Sequence, residues 1–392
     1  MGIVRQVGLV ILGISFFTFI ALFGHVPRLR STPIGWINRF MWGILPRWLS
    51  YLDRRFTGGY IGPLVSGVGK YLMHEKHPVV MAFYLTLVSG GLYMFVKDGW
   101  QYLPLIHKIF VPVVGILPYI TMYHAANSDP GFVTPENHER ALRSYPYDHV
   151  NFRPGVICRT CHLRKPARSK HCSTCKHCIA KHDHHCVVWI NNCVGQLNIR
   201  HFIFFLGATD VLLTYGVYLT FDILQNVFMH RAVIPSNVPL SSLPWSIYMH
   251  LLGIIIVEEI YIGAVFLLAS LTGILSYAFT IYHLYLIWAG TTTNETMKWS
   301  DWQDDIKNGD ILIAEPEEDP PCAEDSEYDE DELCRHWPKR TTQLFYRRDP
   351  ENAIDLPRGF LWRRVESLSE IDNVYDLGWS KNFEDVFWPQ KL

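Results

Sequence analysis

Seven cysteines and several histidines are concentrated between residues 158 and 193. Eight of these residues form two sets of four with nearly the same spacing. The second set begins fourteen residues after the first and has one extra residue before its last cysteine. The first set is Cys158, Cys161, His171 and Cys178, and the second set is Cys172, Cys175, His185 and Cys193. Three thiolates and one imidazole form a complete tetrahedral ligand set for structural zinc. The spacing therefore predicts two structural Zn²⁺ sites that interleave.

One cysteine of this segment, Cys186, is left over after both sets are filled, as are His184 and Asp183. A thiol beside a free imidazole and a carboxylate is typical of an activated nucleophile, because the imidazole takes the thiol proton and the carboxylate orients the imidazole. We predict that Cys186 is the nucleophile, with His184 as its base and Asp183 as the partner of that base. A histidine base would lose activity in acid as it protonates. The alternative is that Cys186 is a substitute zinc ligand and His184 is structural.

The predicted nucleophile is close to an apolar run of the chain. Only eight residues separate Cys193 from Phe202, where a long apolar run begins. A thiol so near the bilayer could accept a group whose tail remains among the acyl chains. This position favours acyl transfer from a lipidic thioester.

The elements around this segment are apolar enough for a membrane protein. The chain has 392 residues, of which 49% are apolar and 14% aromatic. Runs near the length needed to cross a bilayer occupy residues 7–24, 78–96, about 102–122, 202–224 and about 263–288. We predict five spans and read 245–257 as an interfacial or buried helix, because Glu258 and Glu259 would be costly in hydrocarbon. The first run is expected to be an anchor rather than a cleaved signal.

The distribution of Lys and Arg predicts the orientation of these spans. Residues 25–77 carry eight Lys and Arg, residues 123–201 carry eleven, and residues 225–262 carry only Arg231. Because basic loops remain in the cytosol, we place the cysteine-rich segment and the C-terminal tail there. All nine cysteines would then face a reducing compartment, which makes disulfides unexpected.

The predicted fold is an all-α polytopic membrane protein, a helical transmembrane bundle with a cytosolic two-zinc cysteine-rich domain. The tail includes an acidic stretch, Glu315 to Glu332, with eleven acidic residues and no basic one, which predicts a solvated insert. The expected domains are an N-terminal anchor with a lumenal N-terminus (1–24), a basic cytosolic loop (25–77), a helix pair (78–122), the cysteine-rich domain (123–201), a helix pair with a lumenal loop (202–289) and a cytosolic tail (290–392).

The stretch CRTCHLRKPARSKHCSTCKHCIAKHDHHCVVWINNCVGQLN resembles the cysteine-rich domain of the DHHC family of protein S-acyltransferases, the palmitoyltransferases. TTNE (residues 292–295) resembles the TTxE motif of that family, and NVYDLGWSKNFEDVF (residues 373–387) resembles its aromatic-rich C-terminal element. The resemblance covers roughly residues 78–392. The additional N-terminal span resembles a feature of one branch of this family. That branch resides in the endoplasmic reticulum membrane and includes fungal enzymes.

The resemblance implies a reaction and its partners. Cys186 would take a fatty acyl group from palmitoyl-CoA or another acyl-CoA, with His184 as base and Asp183 as its partner, and pass it to cysteines of membrane proteins. The partners would be acyl-CoA, these protein substrates and the lipid bilayer, with no nucleic acid. TTNE would form a polar latch between the last span and the cysteine-rich domain, or would merely solvate a helix end. The aromatic residues Trp379, Phe383 and Phe387 recur every four residues and predict a packing helix.

Four basic residues near the cysteines are candidates for binding the phosphates of CoA, although lipid headgroups are an equal alternative. They are Arg164, Lys165, Arg168 and Lys170.

The sequence departs from the family at one point. Six residues separate Cys186 from Cys193, where the family usually has five, and the extra one is Val187 or Val188. An insertion here would change the orientation of Cys186 relative to the second zinc site unless the loop absorbs it. The rival hypothesis is a membrane-anchored zinc cross-brace that recruits proteins without acyl transfer; such a module would need no free nucleophile.

Overall fold

The computed structural model describes residues 16, 20, 32–75, 78–187, 189–231, 244–316, 337, 343–347 and 360–392. The predicted anchor at 7–24 lies outside this part of the chain apart from positions 16 and 20, and so do residues 317–332 of the acidic insert. The chain divides into two compact units, one comprising Met1–Val79, Leu87–Lys108 and Tyr215–Ser270, the other Val80–Thr86, Ile109–Thr214 and Leu271–Leu392. All the candidate site residues belong to the second unit.

Four described helices are long and apolar enough to cross a membrane: Val79–Tyr102, Leu105–Asn127, Ile199–His230 and Ile260–Trp288. The chain is therefore a multi-pass membrane protein, and the predicted helical membrane fold is confirmed. Between the last two of these spans lies a shorter apolar helix, Trp245–Glu258, of only 14 residues. It ends at Glu258, and Glu259 separates it from the last span, which begins at Ile260.

The helices, numbered in chain order, have the following bounds: α1 Pro33–Arg39, α2 Leu45–Phe56, α3 Ile61–His74, α4 Val79–Gly99, α5 Leu105–Asn127, α6 His138–Leu142, α7 Ile199–Arg231, α8 Trp245–Glu258, α9 Ile260–Trp288, α10 Thr293–Asn308 and α11 Trp379–Phe387. A π-helical turn, Phe40–Ile44, joins α1 to α2, and a 3₁₀ turn, Trp100–Tyr102, extends α4. Inside the second unit, the buried carboxylate of Asp210 on α7 accepts a hydrogen bond from Ser276 on α9.

Short antiparallel strands, which the sequence analysis did not predict, accompany the helices. Their bounds are β1 Phe132–Val133, β2 Lys170–Cys172, β3 His177–Ile179, β4 His184–Cys186, β5 Asn192–Val194, β6 Ile311–Pro316, β7 Phe345–Arg347 and β8 Phe360–Arg364. They form a sheet in the order β1-β3-β2, a β4-β5 hairpin and a sheet in the order β7-β6-β8. The first two lie in the cysteine-rich segment and the third in the tail.

The tail sheet packs on α10. Trp302 and Ile306 of α10 form a buried cluster with Ile311, Ile313 and Val365. Thr292 and Glu295 form a capping box at the start of α10, and Gly309 ends it with a left-handed φ of 77°, which glycine adopts without steric cost. The TTNE motif therefore begins a helix rather than ending one.

Candidate active site

The two predicted ligand sets each converge in the structure. In each set the four ligand atoms lie within 4.8 Å of one another. Two hairpins produce this convergence: β2 and β3 pair His171 with Cys178, while β4 and β5 pair His185 with Cys193. Each hairpin thus places a histidine directly opposite the last cysteine of its set.

The distances within the sets fit zinc. His171 Nδ1 lies 3.3 Å from Cys161 Sγ and 3.5 Å from Cys158 Sγ, and His185 Nδ1 lies 3.3 Å from Cys193 Sγ. A tetrahedral zinc ion with ordinary Zn–S and Zn–N bonds separates its ligand atoms by about 3.5–3.8 Å. These Cys and His groups could therefore hold zinc with little movement.

The extra residue between Cys186 and Cys193 is accommodated in the loop that joins β4 to β5. The strands pair Cys186 with Asn192 and His185 with Cys193 without interruption. Asn192 also donates hydrogen bonds to the carbonyl oxygens of Ala126 (3.2 Å) and Ser128 (2.9 Å). The insertion therefore leaves the pairing of Cys186 and of the ligand His185 intact; Val188 itself lies outside the described residues.

Asp183, His184 and Cys186 lie together at the start of the β4-β5 hairpin. His184 Nδ1 lies 2.6 Å from Asp183 Oδ2, and the His184 imidazole interacts electrostatically with the thiol of Cys186. Asp183 is 2% exposed and Cys186 is 5% exposed. The three residues that the zinc sets leave over are thus assembled at one buried point.

The electrostatic interactions among Asp183, His184 and Cys186 favour an ion pair between His184 and Cys186. Burial alone would lower the pKa of His184, but hydrogen bonds with Asp183 and Cys186 outweigh it and raise that pKa to about 10. Burial would raise the pKa of the Cys186 thiol, yet the hydrogen bond and charge of His184 lower it. Despite burial, His184 also holds the pKa of Asp183 well below its ordinary value. The arrangement therefore favours a Cys186 thiolate beside a His184 imidazolium.

The TTNE motif fixes Asp183 from the start of α10. The backbone N–H of Thr293 donates to Asp183 Oδ1 at 2.7 Å, and the Thr293 hydroxyl donates to Oδ2 at 3.0 Å. With its contact to His184, Asp183 therefore has three hydrogen-bonding partners that hold its carboxylate in one orientation.

A buried ion pair makes the second contact of the same motif. Arg168 donates from Nε and Nη2 to the two carboxylate oxygens of Glu295 at 2.7 and 2.6 Å, and Arg168 also donates to the carbonyl oxygen of Gly290 at 3.1 Å. Both side chains of the pair are at most 2% exposed. We call the contacts of Thr293 with Asp183 and of Glu295 with Arg168 the latch; they are the contacts that the polar-latch interpretation expected.

The C-terminal element packs beside the latch. Gly290 has a φ of 62°, and a Cβ atom there would lie 2.7 Å from the backbone of Tyr375 and Asp376, so only glycine permits this approach. On α11, Asn382 Nδ2 donates to the carbonyl oxygen of Trp288 at 2.9 Å, whereas Trp379 is 66% exposed. Val386 is buried beside Asn382, and the ring of Phe387 lies 5.7 Å from that of Phe204. Of the predicted aromatic residues, Phe387 therefore lies on a packing face of α11, whereas Trp379 does not.

One neighbour of the site, His283 on α9, was not predicted. His283 Nδ1 lies 4.0 Å from Asp183 Oδ2, and its ring lies 5.5 Å from the His184 ring and 5.1 Å from that of Phe202. It is buried. An imidazole inside an apolar span is a functional signal, and that signal could have identified it.

A basic cavity of about 360 Å³ lies in the same unit. Lys165, Lys170, Lys298 and Arg153 line it, together with the buried Asn294, whose Nδ2 has no hydrogen-bond partner among the described residues. Two of the four predicted phosphate-binding residues therefore line one cavity.

The other two predicted phosphate-binding residues are engaged elsewhere. Arg168 is buried in its ion pair with Glu295, and Arg164 lies 3.9 Å from Glu139. The prediction for Arg168 as a phosphate ligand is therefore wrong, because its guanidinium is already satisfied by a carboxylate.

Comparisons with known proteins identify the family of this chain. Residues 151–300 match the family model described as DHHC palmitoyltransferase. Three fungal relatives are similar over nearly their whole length. Palmitoyltransferase swf1 of Emericella nidulans is 37% identical over 99% of this chain and 97% of that protein, SWF1 of Neurospora crassa is 36% identical over 99% and 93%, and swf1 of Schizosaccharomyces pombe is 33% identical over 96% and 94%. The chain belongs to the fungal branch of the DHHC palmitoyltransferase family and is a protein S-palmitoyltransferase.

Proposed function

We propose that the chain carries the acyl group on Cys186, taking it from a long-chain acyl-CoA such as palmitoyl-CoA and passing it to cysteines of membrane-proximal proteins. The observation that carries this proposal is the group of Asp183, His184 and Cys186, in which His184, hydrogen-bonded to Asp183, lowers the pKa of the Cys186 thiol. A lower pKa increases the fraction of Cys186 that is thiolate, and the thiolate is the reactive form.

The two half-reactions use the same proton carrier. In the first, Cys186 Sγ attacks the thioester carbonyl carbon, the carbon–sulfur bond to CoA breaks, and the leaving CoA thiolate takes the proton of His184. In the second, a substrate cysteine gives its proton to His184 and attacks the acyl-enzyme, which releases Cys186 as thiolate. Asp183, held by Thr293, keeps Nδ1 of His184 engaged and leaves the other ring nitrogen for the reacting sulfur atoms.

We further propose that both Cys₃His sets hold structural zinc. Their ligand atoms are within 4.8 Å of one another in each set, and zinc would supply folding free energy to a segment whose strands have only two or three residues. The residues that act on substrate are the three outside the sets. Zinc would therefore fix the hairpin that presents Cys186 without taking part in acyl transfer.

The basic cavity is the proposed site for the CoA phosphates. Lys165, Lys170 and Lys298 supply positive charge, and the unpaired Nδ2 of Asn294 supplies a further donor. We expect Lys298→Gln to raise the KM for palmitoyl-CoA and to leave unchanged the KM for palmitoyl-N-acetylcysteamine, a thioester without phosphates. An equal rise for both thioesters would contradict phosphate binding at Lys298.

We also propose the compartment and the domain arrangement. The excess of Lys and Arg in 25–77 and 123–201 over 225–262 supports an active site facing the cytosol and a lumenal connection after α7. The endoplasmic reticulum membrane is the proposed location, on the resemblance of the predicted anchor at 1–24 to that branch of the family. A glycosylation acceptor engineered into 232–243 should be modified, whereas one in 317–332 should not.

The decisive experiment for the acyl-carrier role is the intact mass of the purified protein after incubation with palmitoyl-CoA. Wild type should gain one palmitoyl group that hydroxylamine removes, and Cys186→Ser should gain none. Equal acylation of both proteins would place the carrier elsewhere. Wild type that takes up no acyl group while retaining its zinc would instead favour the zinc cross-brace hypothesis.

A further inference from the structure

The helices α2 and α3 each present an apolar face that is exposed in the structure. In α2 the apolar residues recur at positions i, i+3, i+4, i+7 and i+11, which is one stripe of a helix. They are Leu45, Trp48, Leu49, Leu52 and Phe56. Trp48 is 57% exposed, Leu49 51% and Phe56 80%. Soluble proteins rarely leave so continuous an apolar surface in water.

The opposite face of α2 is cationic. Arg47 and Arg54 lie on it with Ser50, and Arg55 lies at its margin. A helix with arginines on one face and Trp, Leu and Phe on the other is typical of a segment lying in a membrane interface. The charge of this face complements anionic lipid headgroups.

The helix α3 also carries an exposed apolar face, and a hydrogen-bonded turn joins it to α2. Its exposed face carries Leu64, Val65 and Val68. At this turn, the carboxylate of Asp53 accepts hydrogen bonds from the backbone N–H groups of Ile61 (3.0 Å) and Gly62 (2.6 Å). The end of α2 is thus tied to the start of α3, and the two helices form one hairpin.

Chain connectivity keeps this hairpin near the bilayer. The helix α3 ends at His74, and the membrane-spanning α4 begins at Val79. Five steps along the chain cover at most about 18 Å. The end of α3 therefore cannot move far from the membrane surface.

We propose that the hairpin of α2 and α3 lies in the interface of the bilayer that the spans cross. The apolar faces enter the acyl-chain boundary, and the arginines of α2 contact anionic headgroups. This inference concerns a lipid-binding surface and does not depend on the acyl-transfer chemistry.

The test uses the full-length protein in nanodiscs made with or without brominated phosphatidylcholine, since bromine on acyl chains quenches nearby tryptophan. The chain has 13 tryptophans, so the signal of Trp48 is taken as the difference between wild type and Trp48→Phe. We expect brominated lipid to quench this difference signal. An unquenched signal would overturn the proposal, whether its emission is that of tryptophan in water or of tryptophan buried against protein.

Two neighbouring variants provide the matched comparison. Leu49→Asp places a charge on the apolar face and should abolish the quenching of Trp48, whereas Ser50→Asp places the same charge on the polar face and should retain it. Both should keep their zinc and take up acyl groups on Cys186. Equal quenching in the two variants would contradict the proposed orientation of α2.

Lipid charge tests the role of the arginines. In nanodiscs containing phosphatidylserine, Arg54→Gln should lower the ratio of membrane-bound to unbound hairpin by about fivefold, read from the quenching of Trp48 in a Leu49→Ala background, in which the apolar face is reduced but uncharged and binding is partial. In phosphatidylcholine alone the same substitution should have little effect. An equal effect in both lipids would contradict the proposed contact between Arg54 and anionic headgroups.

Discussion

The zinc-binding hairpins and the latch differ in how far along the chain their partners lie. Within the hairpins, each ligand set spans about twenty residues, so the spacing of cysteines and histidines describes the whole site. The latch joins Arg168 to Glu295 and Asp183 to Thr293, more than a hundred residues apart. Local spacing thus predicts which residues can bind metal, whereas the residues that orient the nucleophile come from a distant helix.

Among the latch residues, the greatest loss of stability is expected from Glu295→Ala. The substitution leaves the guanidinium of Arg168 buried without its carboxylate, which costs about 3–5 kcal/mol and should lower the midpoint of thermal unfolding by several degrees. Asp304→Ala is the control, because it breaks an ion pair with Lys307 whose two side chains are more than 60% exposed and should change stability by less than about 1 kcal/mol. Similar midpoints for the two variants would show that the latch does not stabilise the fold.

The next effect is on the rate of acyl uptake in Asp183→Asn. The amide cannot stabilise the His184 cation, so we expect a loss of about 100-fold or more at unchanged zinc content. Thr293→Val removes only the hydroxyl bond to Asp183 and should cost about tenfold. If zinc were lost from Asp183→Asn, Asp183 would belong to the metal sites and the distinction between the two regions would fail.

The pH dependence distinguishes an ion pair from a histidine base. The lowered pKa of Cys186 means that its thiolate persists above that pKa and is lost as the pH falls through it. His184, with a pKa of about 10, stays protonated through neutral pH, so the rate of acyl uptake should fall in acid because the thiolate protonates. In Asp183→Asn the pKa of Cys186 should rise and move the acid limb to higher pH. A neutral histidine base, as first predicted, would move the limb to lower pH, because its own pKa would fall.

The smallest expected effect is at His283, which lies 4.0 Å from Asp183 and which we expect to position His184. His283→Ala should lower kcat for acyl uptake about tenfold by loosening His184, with no change in the KM for palmitoyl-CoA or in zinc content. His283→Asn, which retains a polar group near Asp183, should recover part of the loss. A raised KM with unchanged kcat would assign His283 to substrate binding instead.

The sequence predicts what depends on local pattern. Hydropathy identified the four described spans, and the repeated spacing identified the eight residues that converge as two ligand sets. It could not predict strands of two to six residues, whose formation depends on partners and on the ligand sets. The aromatic spacing also predicted that Trp379 lies on the packing face of α11. In the structure Trp379 is exposed, whereas Asn382 is buried and donates a hydrogen bond to the carbonyl oxygen of Trp288. Periodicity finds a helical face but not which face meets a neighbour, because buried polar contacts are set by tertiary structure.

We propose that one cysteine of this segment does chemistry while its neighbours hold zinc. The most direct measurement takes zinc content and acyl uptake from the same preparations of Cys186→Ser and Cys193→Ser. Cys186→Ser should keep two zinc ions and take up no acyl group, and Cys193→Ser should lose zinc from the second set. Equal zinc loss in both variants would contradict the claim and make Cys186 a metal ligand.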